Sequence, residues 1–175
     1  MPKSNLGLVR KMTDQDLDQV LKWRNHISIR RFMFHQMEIT LEEHHKWFER
    51  LSKDPCCHLL IFELGGVPSG SVKFNQYDST FVADWGFYLN PDAEKGVGRR
   101  LGCAVLDYAF GELALHKVCG EVLIFNDRSI NFHLNLGFRQ EGILRDQHFD
   151  GQKFHNVVSF GLLSHEWDQN RKENS

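Results

Sequence analysis

The chain has 175 residues, the size of one domain, with 21 Lys and Arg against 23 Asp and Glu and a net charge of -2. That balance argues against a nucleic-acid binder or an anionic-membrane binder. No apolar run approaches the ~20 residues of a membrane span, so a cytoplasmic protein with no nucleic-acid or membrane partner is expected. Hydrophobic residues make up 41% of the chain and Phe alone contributes 14, so aromatic packing should carry much of the core. Cys56, Cys57, Cys103 and Cys119 form no CxxC or Cys/His spacing, and the histidines fit no ligand pattern; reduced thiols and no metal site are expected.

In chain order, Gly7 to Met12 reads as a short strand. Thr13 to Asp16 resembles a capping box and opens a helix through Leu17, Val20, Leu21 and Trp23. An aromatic-rich segment runs from Ile27 to Phe34, and Thr40 with Glu43 caps a second helix through His44, Trp47, Phe48 and Leu51. Three strands follow with hairpin-type punctuation: His58 to Leu64, Ser69 to Asn75 and Phe81 to Leu89. Asn90-Pro91 ends the third, and Gly96 and Gly98 lead into a helix through Leu101, Val105 and Tyr108. Lys117 to Phe125 reads as an apolar strand buried on both faces and parallel to a neighbour. Ser129 to Leu136 reads as a helix stopped by Gly137. Arg139 to Phe149 and Lys153 to Leu163 read as strands around the turn Asp150-Gly151. The order β-α-α-βββ-α-β-α-ββ predicts an α/β fold with a single mixed, mostly antiparallel central sheet and helices on both faces, not a doubly wound parallel sheet. One domain is expected over residues 1–167, with a fraying polar tail at 168–175.

The informative stretch runs from Trp85 to Gly102: a strand, a loop carrying Lys95, Gly96, Val97 and Gly98, then a helix starting with Arg99 and Arg100. Glycines let main-chain amides turn toward one point, and the first turn of a helix has unpaired N–H donors at a positive dipole end. Together with the basic side chains this suits a diphosphate. No GxxxxGK[ST] is present, and Leu101 stands where the third glycine of GxGxxG belongs, so neither a P-loop nor a Rossmann site is expected.

Ala93-Glu-Lys-Gly96-Val-Gly98 resembles the pyrophosphate loop of the Gcn5-related N-acetyltransferase (GNAT) superfamily, Arg/Gln-x-x-Gly-x-Gly/Ala, with Ala93 in place of the first residue. Downstream, Asn126 to Phe138 resembles that family's Asn-x-x-Ala-x-x-x-Tyr-x-x-x-Gly-Phe segment, with Ser129 for Ala and His133 for Tyr. The resemblance implies the GNAT fold, acetyl-CoA as co-substrate, and coenzyme contacts at Leu89, Lys95, Gly96, Val97, Gly98, Arg99 and Asn126. The series Trp23-Arg24-Asn25-His26, Phe32-Met33-Phe34, Ile39 to His44 and Trp47-Phe48 is similar to the N-acetyltransferase family of pseudaminic acid biosynthesis, which acetylates the 4-amino group of a UDP-linked amino-dideoxy sugar. Such enzymes supply a nonulosonic acid for flagellin or cell-surface glycans. That resemblance implies a UDP-amino-sugar partner held by Arg24, Met33 and His44; a homodimer is carried as a further expectation. Arg24 after a helix equally suits a C-cap, and Trp47 at helical spacing suits the core.

For chemistry, the free amine is expected to attack the thioester directly, so positioning supplies much of the acceleration. Two residues are candidates for the proton acceptor. Glu121 is the one charge in the run Val118 to Phe125, and in the resembling sugar acetyltransferases the matching acid works through water with a serine that aligns with Ser71. Asp84 lies where many superfamily members carry a catalytic Glu. His133, at the family's tyrosine position, is the candidate acid toward the leaving thiolate, and a main-chain N–H near Leu89 at a splayed strand end is the candidate oxyanion donor. Two other readings use the same fold: a protein Nα- or ribosomal-protein acetyltransferase, and an acetyl-CoA-binding module without turnover.

Overall fold

Period-two alternation in the middle of the chain builds a seven-stranded sheet. The computed structural model describes residues 7–78 and 81–173. In chain order the elements are β1 (Leu8–Lys11), α1 (Leu17–Asn25), α2 (Ile27–Arg30), α3 (Leu41–Leu51), β2 (Cys57–Leu64), β3 (Val67–Gln76), β4 (Val82–Leu89), α4 (Val97–Gly111), β5 (Lys117–Leu123), α5 (Asp127–Asn135), β6 (Arg139–Phe149), β7 (Phe154–Leu163) and α6 (Ser164–Glu173). The strand order is β1-β2-β3-β4-β5-β7-β6. Every neighbouring pair is antiparallel except β4–β5. The mixed, mostly antiparallel sheet expected from the element order is the one observed.

Alternation sends the side chains to two unequal cores. On one face, Phe62, Phe74, Trp85, Val118, Val122 and Phe160 pack on Leu101, Val105 and Leu106 of α4 and on Trp167 of α6. On the other, Leu59 and Ile61 of β2 meet Leu17, Val20 and Trp23 of α1, with Trp47, Phe48 and Leu51 of α3 and Tyr88 of β4 packed against them. Burying each of these side chains contributes about 1.5–3 kcal/mol. The helix cover on this second face stops at β4, so the β4–β5 region of that face borders a cleft.

Both helix starts on that side follow local chemistry. At α3, Thr40 Oγ1 accepts from the Glu43 amide at 3.2 Å and Glu43 Oε2 accepts from the Thr40 amide at 2.7 Å, the reciprocal pair read from the sequence. At Thr13 the Asp16 carboxylate accepts the Thr13 amide at 2.8 Å, and a single turn of 3-10 helix, Asp14–Asp16, precedes α1.

Two readings are corrected, and the aromatic-rich segment gains an element. The strand at 117–125 is shorter and not buried on both faces: β5 buries Val118, Gly120 and Val122 while Glu121 is exposed. It is parallel to β4 over three residue pairs but antiparallel to β7 over seven. Ile27 to Arg30 is helical, capped by His26, whose side chain accepts the Ser28 amide. The expected tail is α6 through Glu173: Trp167 Nε1 donates to Asp107 at 2.9 Å and Arg171 pairs with Asp107 at 3.0 Å. Residues 168–173 of the polar stretch continue a helix that Trp167 and Arg171 tie to Asp107. No helix among the described residues is long and apolar enough to cross a membrane.

Candidate active site

The cleft begins where the sheet divides. The β4–β5 ladder ends at Asp84–Cys119, yet β4 continues to Leu89 and β5 to Leu123. Beyond Asp84 the side of β4 that faces β5 therefore lacks a neighbouring strand, and its polar main-chain groups are open to a ligand. The opening widens into a cleft of about 1210 Å³. The residues given a catalytic, coenzyme-contact or acceptor-binding role from the sequence line it except Val97 and Arg99.

The α4 N-terminus borders one end. Gly96 is its cap, at φ +94°, and offers no side chain to the first-turn amides. The Val97 amide turns back to the Glu94 carbonyl at 3.2 Å, and the Val97 side chain is buried in the core. The amides of Gly98 and Arg99, the next positions, have no carbonyl four residues back within the helix. Gly98 lies against Leu89, whose Cδ1 would be 3.3 Å from a Cβ there, so the helix start and the end of β4 abut. Val97 thus contributes packing, and Arg99 presents an exposed side chain outside the cleft lining; of the expected basic side chains here, Lys95 faces the cleft. These amides fit a coenzyme diphosphate. A Cβ at Gly96 meets nothing within 4 Å, so Gly96→Ala is expected to cost about 1 kcal/mol through backbone strain alone, read in a thermal melt, and to weaken acetyl-CoA binding in calorimetry. Asn126, at the far side, spends its Oδ1 on the Ser129 amide at 3.2 Å and so caps α5, leaving its amide nitrogen as the group to offer a ligand.

At the closed end the cleft is cationic. Arg24 is 6% exposed. Its Nη2 donates to the His35 carbonyl, while its Nη1 is buried without a partner among the described residues. Burial pulls its pKa down, with the nearby Arg30 adding to the effect. His44 is buried and stacked on Trp47 at 5.1 Å, with Nε2 also unpartnered; burial lowers its pKa. Met33 lines the same end, on a segment whose backbone hangs on side chains of α1 and α2: besides Arg24, Asn25 bonds both the amide and the carbonyl of Ile39, at 2.9 and 2.8 Å. Arg24 is therefore not a helix C-cap, and Trp47 is a half-buried wall of the cleft.

Ser71, Asp84 and Glu121 share the open sheet face. Ser71 is buried on β3 opposite Tyr88 of β4, and the two side chains are hydrogen-bonded. Tyr88 is pushed up to about 12 by burial, against the pull of Ser71 and Arg24. Tyr88 was missed in the sequence reading, although alternation from Asp84 through Gly86 puts it on the Asp84 face. Glu121 opens to the cleft; its pKa is raised by partial burial and then by the charge of Asp84.

His133 does not suit the acid role. It is 2% exposed; Nδ1 lies 2.7 Å from the Ser129 carbonyl and Nε2 accepts from Trp85 Nε1 at 3.0 Å. A carbonyl can only accept and an indole N–H can only donate, so the ring is the neutral tautomer with its proton on Nδ1. Burial lowers its pKa to about 4. At neutral pH it is not an imidazolium and its one proton is engaged by the Ser129 carbonyl, so it serves as the hydrogen-bonded hub of an aromatic cluster with Trp85, Phe138 and Phe160. Gly120 makes room for that bond: a Cβ there would lie 2.7 Å from His133 Nε2 and 3.0 Å from Trp85 Nε1. Gly120→Ala is expected to destabilise the protein by about 1–3 kcal/mol in chemical denaturation, since two packed rings must separate.

Among known proteins, the family model described as an acetyltransferase (GNAT) domain matches residues 8–139. The spermidine N(1)-acetyltransferase of Escherichia coli (strain K12) is 23% identical over 169 residues, 95% of this chain and 91% of that protein. The acetyltransferase PseH of Campylobacter jejuni is 27% identical over 124 residues, 70% of this chain and 76% of that one. The crystal structure of spermidine N-acetyltransferase from Vibrio cholerae in complex with CoA and spermine matches at a TM-score of 0.84 and 21% identity, covering 91% of this chain and 96% of that one, a likeness of fold.

Proposed function

The chain belongs to the GNAT acetyltransferase family and is an acetyl-CoA-dependent N-acetyltransferase, and from that premise we propose that its acceptor is the 4-amino group of a UDP-linked amino-dideoxy sugar, as in pseudaminic acid biosynthesis. The observation that carries this reading is the buried guanidinium of Arg24, with one nitrogen unpartnered at the closed end of the cleft. A buried charge without a counter-charge is costly, and an anionic ligand relieves that cost. Diphosphate oxygens fit it; the ammonium groups of a polyamine, the substrate class named for the spermidine acetyltransferases, are repelled by it. Apolar Met33 and the half-buried Phe32 beside it suit the base and the sugar methyl.

On this reading the amine attacks the thioester carbonyl directly. Gly96, Gly98 and the Arg99 amide hold the coenzyme diphosphate, and Arg24 and His44 hold the nucleotide. A main-chain amide at the open edge of β4 near Leu89 stabilises the developing oxyanion. Glu121, through water ordered by Ser71, receives the amine's proton. The test is an acceptor panel at fixed acetyl-CoA: a UDP-4-amino-4,6-dideoxy sugar, the same sugar without UDP, spermidine, and a peptide with a free N-terminus. The UDP-linked sugar is expected to exceed the others in kcat/KM by about a hundredfold, the usual worth of a buried charged hydrogen bond of about 3 kcal/mol. Spermidine as the best acceptor overturns the proposal, and so does the peptide. Acetyl-CoA binding without turnover of any amine would favour a non-catalytic module.

A further inference from the structure

The transfer of acetyl to an amine releases a proton, and the cleft holds two carboxylates beside each other to receive it. Asp84 is the last β4 residue paired with β5, opposite Cys119, and Glu121 is the next β5 residue on the same face. The two are diagonal neighbours at the point where the strands part, and both line the cleft. Neither pairs with Lys, Arg or His among the described residues. Tyr77, just past β3, bonds its hydroxyl to the Asp84 carboxylate. The same cleft carries the buried and unpartnered donor of Arg24, an independent sign that a ligand occupies it.

We propose that Asp84 and Glu121 act as a coupled carboxylate pair that takes up the acceptor amine's proton, with Glu121 as the receiving group and Asp84, held by Tyr77, as its positioning residue. Two adjacent carboxylates hold a first proton more tightly than either alone, because that proton relieves their repulsion. Burial and the charge of Asp84 raise the Glu121 pKa in the direction this role needs. The Tyr77 hydroxyl donates to Asp84 and so fixes that carboxylate beside Glu121. Around Glu121, Cys119 lies two residues back on its own strand, Tyr77 is close enough to feel its charge, Lys73 of β3 lines the same cleft, and β7 presents the uncharged Ser159 across the ladder.

The proton balance closes. The ammonium loses one proton to Glu121, the freed nitrogen pair forms the C–N bond, and the C–S bond breaks. The departing sulfur takes the second proton from that nitrogen, and Glu121 later returns its proton to water. The pair rests on amine acetylation alone and is indifferent to whether the acceptor carries a nucleotide.

The test is the pH dependence of kcat/KM for Glu121→Gln, Asp84→Asn and Tyr77→Phe, run in parallel on a UDP-4-amino-4,6-dideoxy sugar and on spermidine. The pH titration of Glu carboxyl carbons by NMR, with Glu121→Gln identifying the resonance, requires no acceptor. Glu121→Gln is expected to lower kcat by about a hundredfold and to remove the acid limb, the usual size of a general-base loss. Asp84→Asn is expected to move the acid limb and the Glu121 titration downward by about half a pH unit or more, since a neighbouring charge is gone. Tyr77→Phe is expected to move both in the same downward direction by a smaller amount, because the Asp84 carboxylate is then no longer held beside Glu121. A merely structural role leaves the acid limb and the Glu121 titration unmoved in Asp84→Asn, and no shift or an upward shift there overturns the pairing. Failure of the sugar alone as a substrate overturns the acceptor reading and leaves this test standing on spermidine and the NMR titration.

Discussion

Replacing Arg24 with methionine is expected to lower kcat/KM for the UDP-linked amino sugar by about a hundredfold or more, while the free protein melts no lower than the wild type. Both halves follow from one side chain. Truncating one partner of a buried, hydrogen-bonded charge pair costs about 2–5 kcal/mol, so the loss falls on the acceptor. In the free protein the same guanidinium is buried with Nη1 unpartnered, and its pKa is pulled down by that burial. Removing it relieves a desolvation cost and forfeits one bond, from Nη2 to the His35 carbonyl. Replacing a poorly paired buried charge by an apolar group is often neutral or stabilising. Steady-state kinetics with each substrate varied should put the loss in the acceptor KM, with the dissociation constant of acetyl-CoA unchanged. Lysine should recover part of it, keeping the charge without the two-handed geometry. A large loss of melting temperature with an unchanged acceptor KM would make Arg24 a structural residue.

The second large effect concerns stability in acid. His133 is buried and neutral, with a folded-state pKa of about 4 against about 6.5 when unfolded. A group whose pKa is depressed by folding contributes stability above its unfolded pKa and loses it as pH falls through its folded pKa. The unfolding free energy should therefore decline between about pH 6.5 and about pH 4, by about 3 kcal/mol in all, and stop declining on this account below that. Urea denaturation across that range measures it. His133→Phe should be less stable at neutral pH by about 1–3 kcal/mol, because the buried Trp85 N–H loses its acceptor, but its stability should be flatter through the same window. Equal pH slopes for the two proteins would refute the assignment.

Much of the molecule was legible because its signals are local. The Thr40–Glu43 box, the strand periods, the glycine-bearing loop before α4 and the stop at Gly137 each depend on neighbours a few residues away. Their readings agree with the elements observed. The candidate site was legible as a set of positions: a period of two places Ser71, Asp84 and Glu121 on one sheet face once the strands pair. Individual roles were less legible. His133 stands at the family's tyrosine position, yet its chemistry is decided by Trp85, 48 residues earlier, and by the space at Gly120. Arg99 and Val97 follow the motif's spacing, but helix geometry turns one side chain out of the cleft and the other into the core. Tyr77 carries no motif at all.

From residue order alone come the element types, the sheet class, the coenzyme loop and a short list of polar positions, since these follow from backbone propensities and short-range spacing. Tertiary structure alone decided where β4 leaves β5, which nitrogen of Arg24 stays unpartnered, that His133 is a neutral hydrogen-bond hub, and that Asp84 faces Glu121. Desolvation and charge pairing depend on what lies within a few ångströms in space, and for a sheet ordered β1-β2-β3-β4-β5-β7-β6 those neighbours come from strands far apart in the chain.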